Sequence, residues 1–309
     1  MNPMKRKLLS LMLCAALLCA CLPALAEGGD VTVIDMTGRE ITLEGPAERI
    51  VALTAADCEI LYALGAGDLL VGRGEWCDYP AEVLEVESVE SGYSLNVEQL
   101  IALEPDVVFM TVMGQTEEQL QQIENAGITV VMTDGQDIEG TYEEIALVGE
   151  VVGKRLEAAA IVTQMMADFA ALAENAADLE GKTVYFETSP LVWGLYSAGP
   201  GTFMDEIASM LGLTNIFGDV EYAWPSVSEE QVIERNPDYI VTITMFDSLG
   251  EDPIAEIMNR EGWQDVTAVR NGAILNLVGN ELSRPAPRLV EGAKLLYDFV
   301  TGAAADEAA

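Results

Sequence analysis

Short unbroken apolar runs alternate with stretches of helical period along most of this chain, from about Arg49 to Val300. Residues 31 to 45 differ: apolar and polar positions alternate around Thr37-Gly38-Arg39, which predicts a hairpin. Arg49 to Thr54 predicts a strand and Ala55 to Leu64 a helix, with Asp57 in its first turn and Gly65 and Gly67 as the stop. The pattern then predicts strand 69–72, helix 96–104, strand 106–112, helix 116–126 and strand 128–133. Helices of this length between strands imply parallel βαβ units. Unbroken apolar runs imply strands covered on both faces.

Residues 141 to 179 read as helix throughout. Glu143, Ile145, Ala146, Val148, Val151 and Val152 open the pattern, and an alanine-rich stretch carries it on to Leu179. Gly149 and Gly153 weaken it without ending it. Beyond Gly181 come strand 183–187, helices 203–211 and 228–235, strand 239–244, helix 253–260, strand 273–277 and helix 287–300. The predicted fold is therefore α/β, with two lobes that each hold a mainly parallel sheet flanked by helices, joined by one long helix. The expected divisions are a leader at 1–26, an N-terminal lobe at 27–140, the linking helix at 141–180, a C-terminal lobe at 181–301 and a disordered tail at 302–309.

The chain also repeats itself. Asn96-Val97-Glu98-Gln99-Leu100-Ile101-Ala102-Leu103-Glu104-Pro105-Asp106-Val107-Val108 has its counterpart in Ser228-Glu229-Glu230-Gln231-Val232-Ile233-Glu234-Arg235-Asn236-Pro237-Asp238-Tyr239-Ile240. Each reads as a capped helix, a Pro-Asp break and a buried strand. Glu59-Ile60-Leu61-Tyr62-Ala63-Leu64-Gly65 precedes the first copy, and Glu206-Ile207-Ala208-Ser209-Met210-Leu211-Gly212 precedes the second. Matching order in both pairs implies two similar units, and a cleft between lobes is where small molecules bind.

Composition narrows the function. The 309 residues carry 52 acidic against 15 basic side chains and no histidine, a formal charge of -37. That surface repels phosphate backbones and excludes nucleic-acid binding. Lys5, Arg6 and Lys7 followed by Leu8 to Leu22 form an export leader, too short to span a bilayer, and no other stretch approaches spanning length. Leu18-Cys19-Ala20-Cys21 resembles a lipobox that would acylate Cys21, while Ala24-Leu25-Ala26 fits ordinary cleavage. Both routes stay open. Cys58 and Cys77 remain in the mature chain, either as one disulfide or as free thiols.

Several of these segments together resemble the substrate-binding proteins of bacterial ABC importers for ferric siderophores, haem and cobalamin. The resemblance rests on Arg49-Ile50-Val51-Ala52-Leu53, Cys77-Asp78-Tyr79-Pro80, the Pro105-Asp106 unit, Thr202-Phe203-Met204-Asp205-Glu206, Trp224-Pro225 with Ser228-Glu229-Glu230-Gln231, and Arg284-Pro285-Ala286-Pro287-Arg288. It implies a receptor with little lobe movement, which carries a metal chelate such as cobalamin or a ferric siderophore as cargo, with no resident cofactor or metal site of its own. It implies as partners a permease dimer and its ATPase, met through one acidic residue per lobe. Glu98 and Glu230 stand at those positions, where each is also a first-turn acid that suits the helix dipole. A monomer lying outside the cytoplasmic membrane is expected, anchored by lipid or free.

Ligand contacts are expected on loops at the carboxyl ends of parallel strands. Thr54, Trp76, Tyr79, Tyr93 and Met113 fall there in the first lobe, and Trp193, Tyr196, Trp224, Phe246 and Arg284 in the second. Trp193 and Trp224 also suit closure of a lobe core, and Tyr79 before Pro80 suits support of a turn. Arg288, at a helix start, reads as a salt-bridge residue. With no histidine, no imidazole can ligate haem or cobalt; Tyr93 is the candidate haem ligand if haem is the cargo. The same gap removes the Ser-His and Cys-His pairs of hydrolases, so an enzyme is not expected. A sensor or adhesion module on the same fold is the remaining alternative.

Overall fold

The structure is a computed structural model that describes residues 29–92, 95–176, 179, 181–243 and 252–302. The leader with Cys21, the tail beyond 302, Tyr93 and Phe246 lie outside the described residues.

Strands β1 (Val31–Ile34) and β2 (Glu40–Leu43) form the expected antiparallel hairpin. The N-lobe sheet follows, built of β3 (Ile50–Ala52), β4 (Leu70–Gly74), β5 (Ser88–Val89), β6 (Val107–Thr111) and β7 (Thr129–Thr133). Its order is β5-β4-β3-β6-β7, with every pairing parallel. Its helices are α1 (Ala55–Ala63), α2 (Val97–Leu103) and α3 (Glu117–Asn125). Ile50, Val51 and Ala52 are all buried, as a strand covered on both faces requires.

Helices α4 (Ile138–Val151) and α5 (Arg155–Asn175) follow. The predicted unbroken helix over 141–179 is corrected here. Gly153 takes φ +70, a left-handed turn that glycine adopts without strain, and the chain starts a new helix at Arg155. The signal was visible in Gly153 but masked by helical period on both sides. Helix α4 packs against α1 and β1 of the first lobe, while α5 packs against α4 and against α10 of the second. The bridge between lobes is thus α5, roughly 31 Å long at 1.5 Å per residue. By length and composition α5 is also apolar enough to cross a membrane, which corrects the expectation that no segment beyond the leader would be.

The second lobe contains β8 (Thr183–Glu187), β9 (Thr214–Asn215), β10 (Tyr239–Ile243) and β11 (Ile274–Leu277) in the parallel order β11-β10-β8-β9. Helices α6 (Phe203–Met210), α7 (Glu229–Arg235), α8 (Pro253–Met258), α9 (Thr267–Asn271) and α10 (Leu289–Thr301) flank it. One buried cluster runs through both lobes, joining Ile50 and Phe109 of the first sheet, Met165 and Phe169 of α5, and Phe186 and Val241 of the second.

The repeat extends to individual hydrogen bonds. Asn96 and Ser228 cap α2 and α7, each accepting from the backbone N–H three residues on, at 3.1 and 3.3 Å. Both helices end on a left-handed residue, Glu104 (φ 47) and Asn236 (φ 44). Asp106 and Asp238 then accept the N–H groups of Arg49 and Thr183, at 2.8 and 3.0 Å. Each thereby ties the start of its own strand to the start of the neighbouring one.

Candidate functional site

The carboxyl ends of the two sheets meet at a cavity of about 710 Å³. The N-lobe wall is made by residues at or beyond the ends of β3, β6 and β7, and the C-lobe wall by residues beyond β8, by Ile243 at the end of β10 and by the 283–285 turn. Such loops are where parallel α/β sheets offer side chains to ligands.

Of the candidates, Thr54, Met113, Trp193, Tyr196, Trp224 and Arg284 line this cavity. Trp76 and Tyr79 are not among its lining residues. They follow β4, which lies on the far side of β3 from the strands that face the cavity. Tyr79 instead supports Arg288, whose guanidinium carbon sits 3.7 Å from the tyrosine ring centroid in a cation–π contact. Tyr93 and Phe246 are outside the described residues.

The aromatic wall is fixed in place. The Trp224 indole donates to Gln136 Oε1 at 2.7 Å, and its ring leans on Phe203 at 5.7 Å. The Phe203 N–H donates to the Gln136 carbonyl at 3.0 Å, and the Ile138 N–H to Glu206 Oε2 at 2.9 Å. These bonds all run between lobes, so the 136–138 segment holds the cavity base at a set width.

Arg284 lines the cavity with its charge already engaged: Nη1 donates to Glu59 Oε1 at 2.9 Å and to Asp78 Oδ1 at 2.6 Å. Arg288 grips the same Glu59 through Nε and Nη2 at 2.9 and 2.6 Å, as the salt-bridge reading expected. Cys58 and Cys77 are both buried free thiols. The hydrogen bond with the adjoining Cys77, and then burial, push the Cys58 thiol well above its usual range, so it is not poised as a nucleophile.

Sequence reasoning missed the acidic floor. Asp57 and Glu144 are buried there, and burial raises Asp57 to about 7 and Glu144 well above the usual carboxylate range. Asp57 holds the hydroxyls of Thr54 and Thr133, both on the lining, at 2.5 and 3.2 Å. A signal existed for Glu144. It shares the α4 stripe with the buried Thr141, Ile145 and Val148, where an isolated acid is out of place unless something there needs it.

Glu98 and Glu230 are exposed in the first turns of α2 and α7. In a parallel sheet a crossover helix begins where the preceding strand ends, so both acids stand on the edge that carries the cavity.

The family model described as periplasmic binding protein matches residues 50–279. An uncharacterized ABC transporter substrate-binding lipoprotein of Bacillus subtilis is 32% identical over 276 residues, covering 87% of this chain and 85% of that one. A cobalamin-binding protein of Halobacterium salinarum is 30% identical and covers 84% and 71%. Among solved structures, a possible iron-binding (periplasmic solute-binding) protein from Staphylococcus epidermidis superposes with a TM-score of 0.69 at 30% identity, covering 82% of this chain and 98% of that one.

Proposed function

The chain belongs to the periplasmic binding protein family, a family of solute-binding proteins, and we propose that it is the extracytoplasmic receptor of an ABC importer. Its cargo is a metal chelate, a corrinoid or a ferric siderophore, held between the lobes as cargo and not as a cofactor. The observation that carries this reading is the cavity of about 710 Å³ at the facing sheet ends, walled by Trp193, Tyr196, Phe203 and Trp224. That volume lies in the range of ligand sites, roughly 300–1,000 Å³, and the rings offer flat apolar area to a macrocycle or a folded chelate. The chain has no histidine, so a cargo that brings its metal fully coordinated suits it. The names of two relatives, cobalamin-binding and possible iron-binding, support the same class.

Glu98 and Glu230 would meet arginines of a permease dimer driven by its ATPase, one acid per lobe, while the receptor itself stays monomeric. Export follows from the leader, with anchoring through Cys21 or release after Ala26. The test is a fluorescence titration with cyanocobalamin, ferrioxamine B and haemin. Trp193 and Trp224 line the cavity, so the cognate chelate should quench them at micromolar concentration or below. Absence of quenching by every member of the panel would overturn the reading.

A further inference from the structure

One end of the cavity has acceptors and no cation. Glu144 lines it while only 1% exposed. Its Oε2 accepts the Gly135 N–H at 2.8 Å, and its Oε1 accepts nothing among the described residues. Behind it, Asp57 is fully buried: Oδ2 takes the Thr54 and Thr133 hydroxyls, and Oδ1 has no partner. No lysine or arginine bonds either acid among the described residues. Arg284, the cation on the lining, is held by Glu59 and Asp78. Glu144 is on the lining, so its unbonded oxygen is within reach of a ligand, while the unpartnered Asp57 Oδ1 lies behind it and off the lining.

We propose that Glu144, backed by Asp57, forms a subsite that receives a neutral carboxamide arm of the cargo and discriminates against a carboxylate arm. The proposal rests on the receptor reading above and narrows its cargo to amide-bearing chelates, of which corrinoids are the class with a ring of primary amides. The chemistry follows from the two forms a carboxyl can take. Ionised, Glu144 accepts an amide N–H; protonated, it donates to the amide carbonyl. A primary amide satisfies both, whereas a carboxylate satisfies the protonated form alone and repels the ionised one. The burial that favours the neutral forms of both acids also penalises an ionic arm brought into the same place, and a neutral arm escapes that cost.

The test compares two probes on one scaffold, dicyanocobinamide and dicyanocobyrinic acid, the second bearing carboxylates where the first bears amides. Wild-type protein should bind the amide form at least tenfold more tightly. Glu144→Gln turns its Oε1 to the Gly135 N–H and its NH2 into the cavity, so it should bind the acid more tightly and shrink the ratio at least fivefold. Glu144→Leu should weaken the amide form about tenfold, the expected effect of losing a buried polar partner. Thermal melts of the free variants separate loss of fold from loss of contact. An unchanged ratio in both folded variants would overturn the subsite, as would wild-type binding of ferrioxamine B with no corrinoid bound. Failure of every chelate would instead overturn the receptor reading itself.

Discussion

Glu59 and Glu206 stand at equivalent places in the two halves of the repeat, each six residues before a left-handed glycine, and each reaches into the opposite lobe. Glu59 on α1 holds Arg284 and Arg288, which lead into α10; Glu206 on α6 accepts the Ile138 N–H at the start of α4. The duplicated unit thus supplies one cross-lobe fastening from either side, and α5 supplies the third connection. Ties at separate points oppose the hinge motion that flexible linkers permit.

Glu59 is 4% exposed and is the shared carboxylate of two arginines. Deleting it leaves two partly buried guanidiniums side by side, Arg288 without its carboxylate and Arg284 with Asp78 alone. Glu59→Ala should therefore lower the free energy of unfolding by about 3–5 kcal/mol in urea titrations. A loss of about 1 kcal/mol or less, the size of a surface pair, would show that the lobes are not fastened here.

Asp57 makes stability depend on pH. It keeps its proton to about pH 7 in the folded chain, against an ordinary value of 3.8, and burial is the main cause. Between those values the folded state binds more protons than the unfolded one, so this group costs stability as pH rises. The cost is fully present above about pH 7 and absent below about pH 4. Asp57→Asn removes it. The variant should gain on wild type by up to about 4 kcal/mol between acid and neutral pH, then level off. A difference that stays flat across that window would mean that Asp57 is ionised in its site without cost.

Both sheets were legible because their signals are local. Ile50 to Ala52 and Tyr239 to Ile243 are apolar runs beside capped helices, and the Pro-Asp breaks mark where strands begin. The stacking of Arg288 on Tyr79 was not legible because the two lie more than two hundred residues apart, and nothing near Tyr79 announces it. Gly153 was passed over because helical period continues on both sides of the turn. Trp193 and Trp224 were equally plausible as core or as wall; Trp224 does both, bonding Gln136 while it faces the cavity. What escaped was pairing across the lobes. Local pattern tells which side of an element is buried, and not which distant element will bury it.

Permease docking through Glu98 and Glu230 makes a prediction that separates capture from delivery. Both side chains are exposed and neither lines the cavity, so Glu98→Lys with Glu230→Lys should leave chelate affinity within about twofold of wild type. Import of the same chelate into cells that express the cognate permease and ATPase should fall to background. Import at the wild-type rate by the double variant would remove these two acids from the interface.

Gly135 is where the two lobes come close beside the acidic floor. A Cβ at that position would lie 2.6 Å from Glu144 Oε2 and 2.8 Å from Pro285 Cβ, both well inside contact distance. The carboxylate cannot retreat without losing the Gly135 N–H it accepts, and the proline ring has no rotamer to adopt. Gly135→Ala should therefore displace Glu144 and widen the base of the cleft, at about 1–3 kcal/mol of stability. Because the altered width and the displaced acceptor act on the same end of the cavity, chelate affinity should fall about tenfold while the Glu59 fastening persists. Urea titration alongside the fluorescence binding curve measures both effects. Wild-type affinity in a folded Gly135→Ala protein would place the ligand away from this end of the cavity.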